Sequence, residues 1–469
     1  MISSHALDRE IILPIYNIFL NAFKDCEKVS TPYLNLMGFI FHEAMYFASC
    51  FVYDKYWYNI ESDLEFPYLG FRAHKFSSVN KHYLSKKRKA ISIFSNYLSN
   101  SKPTIAILNP SGLDLQKFIM LLFKNRIRII FPEYAGISIP NYNQQIAIIE
   151  IALSKIWHEF KMGNKYHLFI DAINNSYKQL NTRTKIDEKY DVLITGSPVK
   201  IPVRAEAARA LSINIPTICV DHGNVSGDGD HPTWGFDEQS YCSHFVGYGS
   251  AWIKAVKNGD YIKPLYSQPK YIKSNCTFVK KNYRNDKIIK LGNELSKLKL
   301  AYVPTKLMGS KRLGPFLSIP DEEYLKWQKY LFKVFKNLDY KAHPKQTIDF
   351  RIDDVKIVRD NLETCIDQYD CFILDTCLTT AFANIAATNK PIIYFNIGFG
   401  NPSSIALTPI KERIVWVDID INNPGDLIKK IKAQLPKSFT NNYTNQFCLI
   451  DNNTSREKTV VDLIKKIVT

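Results

Sequence analysis

The sequence predicts an α/β protein built of two doubly wound domains in tandem, facing each other across a cleft. Three observations carry this expectation. Short, continuous apolar runs such as Ile105-Ala106-Ile107-Leu108 and Cys371-Phe372-Ile373-Leu374 alternate with helical stretches in both halves of the chain. Runs without polar alternation belong to strands covered on both faces, which is the condition of a parallel sheet. The alternation is broken near the middle by a polar, basic stretch at about 268–290, which reads as an interdomain linker. Finally, 469 residues with 46% hydrophobic content are enough for two full cores.

The elements follow in order. Residues 1–100 read mainly as helix with tyrosine-rich loops. From there the pattern becomes α/β, with strands at 104–108, 128–131, 191–195 and 216–220 and helices at 115–124, about 143–161 and 203–211. After the linker it restarts: strands at 300–303, 338–342, 371–374, 391–395 and 414–417, and helices at 324–337 and about 455–467. The domain division this implies is 1–270 for an N-terminal domain with a helical leading part, 285–455 for a C-terminal domain, and 456–469 for a closing helix.

Composition narrows the function classes. The nine cysteines show no C-x-x-C spacing, which argues against structural zinc and a disulfide framework and for reduced, buried thiols. The apolar stretch at 33–52 contains Asn35, His42 and Glu43, so a buried helix is expected there rather than a membrane span, and the N-terminus does not read as a signal peptide. The formal net charge is +16, and the stretch 268–314 holds twelve Lys/Arg against Asp286 and Glu294. Such a stretch is a solvated face by default, or attracts an anionic substrate or membrane surface. No nucleic-acid motif accompanies it, so nucleic acid is not an expected partner.

In open parallel sheets, ligands bind beyond the carboxyl ends of the strands. Several polar clusters occupy such positions. Lys341-Ala342-His343-Pro344-Lys345 ends one strand; the proline stiffens the turn, and the imidazole with two lysines can meet a phosphate, though His343 alone reads equally well as a surface-turn residue. Asp375 to Thr380 ends another strand and opens a helix, where Thr379 and Thr380 serve as N-caps or as part of an anion site. In the N-terminal half, Asp221-His222-Gly223-Asn224 follows a strand, and Glu133 ends another. A carboxylate there can act as nucleophile or general base; Asp221 reads equally as a turn cap and Glu133 as a surface ion-pair partner. Asp228, Asp230 and His231 follow no known metal-ligand spacing and read as a loop. Arg72 and His74, with Asn109 and Ser111, are candidates for the acceptor side.

The order of these segments resembles the nucleotide-binding half of GT-B glycosyltransferases of bacterial surface-polysaccharide synthesis. That group includes the Kdo transferases of capsule and O-antigen, bacterial sialyltransferases and the CDP-glycerol glycerophosphotransferases. The resemblance lies in the His343-Pro344 turn, the Asp375-x-x-x-Thr379-Thr380 segment, the strand Lys390-Pro391-Ile392-Ile393-Tyr394-Phe395, and Val303-Pro304-Thr305-Lys306 at a strand end. It covers roughly 298–400. The chain departs from the group's usual Asp-Tyr-Ser-Ser form at 375–380. The resemblance implies two Rossmann-like domains in the GT-B arrangement and transfer of Kdo or another ulosonic acid from a CMP-activated donor to a lipid-linked or growing glycan; the alternatives are polyol-phosphate transfer from CDP-glycerol and nucleotide-sugar binding without turnover. The donor phosphate would fall to His343, Pro344, Lys341, Lys345, Thr379, Thr380, Thr305 and Lys306. A retaining reaction through Asp221 as nucleophile is implied, assisted by Glu133 with His222 beside it. No cofactor and no metal are expected, and the location is the cytoplasm, with peripheral contact at the inner face of the cytoplasmic membrane.

Overall fold

The computed structural model describes residues 8–58, 91–92, 103–108, 112–132, 138–163, 165–181, 189–196, 198, 201–221, 223, 227–229, 238–259, 264–266, 268–284, 288–289, 291, 295–305, 319–343, 355–400, 402–435, 438–450 and 454–469. Helices α1 (Leu13–Glu27) and α2 (Leu36–Tyr58) lead into the first sheet, whose strands are β1 (Thr104–Leu108), β2 (Arg128–Ile130), β3 (Val192–Thr195), β4 (Thr217–Val220), β5 (His244–Val246) and β6 (Lys270–Ile272). Between them run α3 (Leu115–Lys124), α4 (Tyr142–Glu159), α5 (His167–Asn181), α6 (Ile201–Ser212) and α7 (Ser250–Asn258), with α8 (Thr277–Asn282) following β6. The second sheet contains β7 (Leu300–Tyr302), β8 (Leu338–Lys341), β9 (Ile357–Val358), β10 (Cys371–Leu374), β11 (Ile392–Asn396) and β12 (Val415–Asp418). Its helices are α9 (Asp321–Val334), α10 (Leu362–Cys365), α11 (Thr380–Ala386), α12 (Ser404–Arg413) and α13 (Leu427–Ala433), and α14 (Arg456–Val468) closes the chain.

Both sheets are parallel throughout. The first runs β2-β1-β3-β4-β5-β6 and the second β12-β11-β10-β7-β8-β9. The second is the full doubly wound order, reversing direction between β7 and β10; the first reverses between β1 and β3. The chain is a pair of Rossmann-like domains.

Local signals set the element ends. Asp114 caps α3 by accepting from the Lys117 N–H at 3.1 Å. Three acids, Asp321, Glu322 and Glu323, occupy the first turn of α9 and complement its dipole. Ser455 caps α14 through the Lys458 N–H, and Lys465 and Lys466 lie in its last turn.

Helix α2 settles the question of the apolar stretch. Its segment Leu36–Tyr53 is long and apolar enough to cross a membrane, yet 94% of it is buried inside the protein. Phe47 stacks on Trp157 of α4 and Phe169 of α5. Glu43 forms a buried ion pair with Arg204 of α6. All nine cysteines are buried, and none is in a disulfide.

The stretch read as linker is structured. β6 extends the first sheet, pairing with β5 from His244↔Lys270 to Val246↔Ile272. The Cys276 N–H then bonds the Cys448 carbonyl, and the Arg284 N–H bonds that of Ala387. Lys270, Lys273, Lys280, Lys281 and Arg284 are exposed on this crossing. Extended backbone with alternating Tyr271 and Ile272 finds a sheet edge despite its polarity, which composition alone hides.

The seam between the domains is packed as a core. One cluster joins Phe245, Tyr248, Trp252 and Val256 of the first domain to Phe372, Phe382, Ile410, Tyr443 and Phe447 of the second. Trp252 lies between two glycines: a Cβ at Gly247 would sit 2.0 Å from its ring and one at Gly227 2.3 Å. Helix α14 crosses back to bury Val460, Val461 and Ile464 against Ile105, Phe118, Ile194 and Val220 of the first domain. Arg456, at its start, donates to the Val246 and Gly112 carbonyls and the Tyr248 hydroxyl. A large apolar seam with a returning helix opposes free domain motion.

Candidate functional site

The carboxyl ends of the two sheets meet. The Thr380 hydroxyl, at the start of α11, donates to the Gly223 carbonyl just beyond β4 at 3.3 Å. Two motifs separated by 157 residues are thereby brought into contact. The crevice at these strand ends is where a doubly wound sheet takes its ligand.

On the C-terminal side, the switch point between β7 and β10 holds a buried cluster. Asp375 follows β10 directly and has no exposed surface. It accepts from the Tyr302 hydroxyl at the end of β7, from the Tyr324 hydroxyl at 3.1 Å and from the Trp327 indole N–H at 3.2 Å, both on α9. The Thr305 N–H in turn donates to the Tyr324 hydroxyl at 3.2 Å. Burial pushes the Asp375 carboxyl up to about 7, while the three side-chain donors pull the other way. Burial beside Asp375 also raises the Tyr302 and Tyr324 hydroxyls well above their usual range. Sequence reading took Asp375 only as the opening residue of its motif; its partners stand 48 to 73 residues away, with no local spacing to betray them.

The threonine turn shows the capping role that the sequence allows beside anion binding. Helix α11 has seven residues. Thr379 is the N-cap, its hydroxyl accepting from the Phe382 N–H at 3.1 Å, and Thr380 donates its own to Gly223. A phosphate at this turn could still receive the Thr379 O–H, because the cap uses only that hydroxyl as an acceptor. Cys377 in the same turn is fully buried.

Lys341 departs from the expected role. It is buried and folds back, its Nζ donating to the Ala342 carbonyl at 2.9 Å. Burial lowers its pKa, against the raising influence of Cys365, Glu363 and Asp360. Its ammonium is thus already engaged by the backbone at the end of β8. His343, the next residue but one, is half-buried at that rim, as is Thr305 at the end of β7. Pro344, Lys345 and Lys306 lie outside the described residues.

On the N-terminal side, Asp221 ends β4 with its N–H bonded to the Val246 carbonyl. Its Oδ1 accepts from the Gly223 N–H at 2.8 Å, and its carbonyl accepts from the Tyr248 hydroxyl at 3.2 Å. The residue has no exposed surface. The carboxylate thus shapes a tight turn, the alternative that the sequence left open. Glu133, His222, Arg72, His74, Asn109 and Ser111 all lie outside the described residues.

Asp228 belongs to this site and escaped sequence reading except as an unlikely metal ligand. Its Oδ2 accepts from the Tyr443 hydroxyl at 2.5 Å, across the domain seam. Burial pushes its carboxyl well above the usual carboxylate range; Tyr443 opposes that shift and nearby Asp221 adds to it. Among the described residues, no group of His, Cys, Asp and Glu is placed to hold a metal ion.

No protein-family model matches this chain, and no curated protein matches it. Among solved structures, it is similar to the spinosyn forosaminyltransferase SpnP at 12% identity and a TM-score of 0.38, over 79% of this chain and 100% of that one. The glycotransferase of kitacinnamycin aligns at 10% identity and a TM-score of 0.30, over 81% of this chain and 95% of its own. Both are too distant to carry a residue or an activity across.

Proposed function

We propose that this protein is a glycosyltransferase of the GT-B type that moves a sugar from a nucleotide-activated donor to a glycan acceptor. The observation that carries the reading is the meeting of the two carboxyl-end surfaces at Thr380 and Gly223. A donor seated at the β7/β10 switch point would present its reactive carbon to groups on the facing domain. The finer reading follows the motif resemblance: a CMP-activated ulosonic acid such as Kdo, a lipid-linked or growing surface glycan as acceptor, and no metal or other cofactor. The cytoplasm, or the inner face of the membrane, is the proposed setting, with the exposed lysines of the β6–α8 crossing available to an anionic surface.

In this reading Asp221 is the nucleophile and Glu133 the acid/base. The chemical need is an oxocarbenium-like centre beside a carboxylate, which an enzyme carboxylate stabilises. The Gly223 N–H takes Oδ1, so attack would fall to Oδ2, which the donor must reach although Asp221 has no exposed surface here. One observation favours a second reading: a carboxylate enclosed and turn-bonded in this way suits direct displacement. Polyol-phosphate transfer from CDP-glycerol is then the alternative.

Incubating the protein with CMP-Kdo, CMP-sialic acid or CDP-glycerol, and measuring released nucleotide, separates the two readings. Intact-protein mass spectrometry without acceptor reports a glycosyl adduct on Asp221 if the covalent route operates. A folded protein that binds none of the three donors in calorimetry overturns the reading.

A further inference from the structure

Residues 227–229, downstream of Asp221, are held to the C-terminal domain by a set of contacts the proposed chemistry has not used. The Ser403 N–H donates to the Asp228 carbonyl at 2.6 Å. The Ser403 hydroxyl donates to the Gly227 carbonyl at 3.2 Å. Gly229 and Pro402 form an antiparallel bridge. The Tyr443 hydroxyl reaches the Asp228 carboxylate. Gly227 lies flat on Trp252, where any side chain would collide. Asp228 is 1% exposed and Tyr443 is fully buried, ringed by Phe382 and Phe447. A carboxyl in such a place is costly unless it performs a task, since an apolar residue would pack there at less expense.

We propose that Asp228 is a positioning residue for the proposed transfer: its carboxyl, through Tyr443, reinforces the backbone bonds of Ser403 that hold 227–229, the segment downstream of Asp221, to the domain that binds the donor. The inference rests on the glycosyltransferase reading for its link to activity, and on geometry alone for the clamp. Thr380 holds Gly223, two residues after Asp221, and Ser403 and Tyr443 hold Asp228, so the second domain touches the chain after Asp221 at two described points. Loss of the clamp leaves donor binding in place and misplaces the carboxylate.

The groups facing the Asp228 carboxyl are Tyr443, Asp221 and Cys377, with Cys448 beyond Tyr443. None of them is positively charged, and among the described residues Oδ1 has no hydrogen-bond partner. A carboxyl so placed stays protonated to higher pH in the folded chain than in the unfolded one. The folded state then binds the extra proton, so the clamp's contribution is full at low pH and is lost as pH rises.

The test uses the full chain with Asp228→Ala, Asp228→Asn and Tyr443→Phe. Hydrogen exchange at Gly223 and 227–229 should rise about tenfold in Asp228→Ala and Tyr443→Phe, with β1 and β3 unchanged, while Asp228→Asn, which keeps the shape without the charge, retains protection. The fall in thermal stability of the wild type with rising pH should flatten in Asp228→Asn. In turnover, kcat should drop in Asp228→Ala with the nucleotide Kd unchanged. Unaltered exchange in folded variants overturns the clamp, and a loosened loop with unaltered kcat overturns its role in positioning Asp221. A wild type that turns over no donor counts against the glycosyltransferase reading, while exchange and the pH dependence still decide the clamp.

Discussion

The two strand-end surfaces are built differently. In the C-terminal domain the polar cluster sits at the switch point itself: Asp375 is tied to Tyr302, Tyr324 and Trp327, all within one domain. In the N-terminal domain the described polar groups sit at β4, away from the β1/β3 reversal, and their partners come largely from the other domain: Thr380 for Gly223, Ser403 and Tyr443 for Asp228. Among the described residues, the Asp375 network is complete within its own domain. The other is finished only when the domains are packed together. The difference teaches that one polar network is self-contained and the other is shared across the seam; in the proposed function these would be the donor half and the chemical half.

The comparison can be broken most sharply at Asp221. Asp221→Ala should lower transfer by about 10³-fold or more while nucleotide affinity in calorimetry stays within error; equal losses in both would erase the division of labour. Next in size is the seam. Trp252→Ala should cost about 3–5 kcal/mol and lower the melting temperature of both domains together, because the indole belongs to a core they share. Two separate melting transitions in the wild type would show the halves to be independent.

A smaller effect separates the two buried acids. With its carboxyl raised to about 7, Asp375 holds a proton in the folded chain that the unfolded chain has already lost. Wild-type stability should therefore fall between pH about 4 and about 7, and Asp375→Asn should remove that part of the slope; a slope unchanged by the substitution would mean that Asp375 titrates normally. The smallest is Thr379→Ala, which removes a cap and should cost about 1 kcal/mol in denaturant unfolding. If it also abolished nucleotide binding, the hydroxyl would have a role beyond the cap.

Much of the fold was legible in sequence because a strand buried on both faces advertises itself as an apolar run. Thr104–Leu108, Val192–Thr195, Cys371–Leu374 and Ile392–Asn396 are of this kind. β5, β6 and β9 were not, since edge or short strands such as Lys270–Ile272 and Ile357–Val358 carry mixed polarity. The site was legible in position and partly misread in role. Strand ends pointed to Asp221, Thr379 and Thr380, but which hydroxyl or carboxylate is already engaged depends on partners from distant segments. Lys341 shows the same limit: its charge suggested a phosphate ligand, and in the fold it is buried with its Nζ on the Ala342 carbonyl.

By itself, then, the sequence determined the alternation of strands and helices, the doubly wound class and the strand ends where chemistry belongs, because these follow from local polarity and chain stiffness. Tertiary structure alone decided that the domains share a core, that α14 returns to the first sheet, and that Asp228 and Asp375 are enclosed. Those facts depend on contacts between residues tens to hundreds of positions apart, and no local pattern encodes a partner that far away.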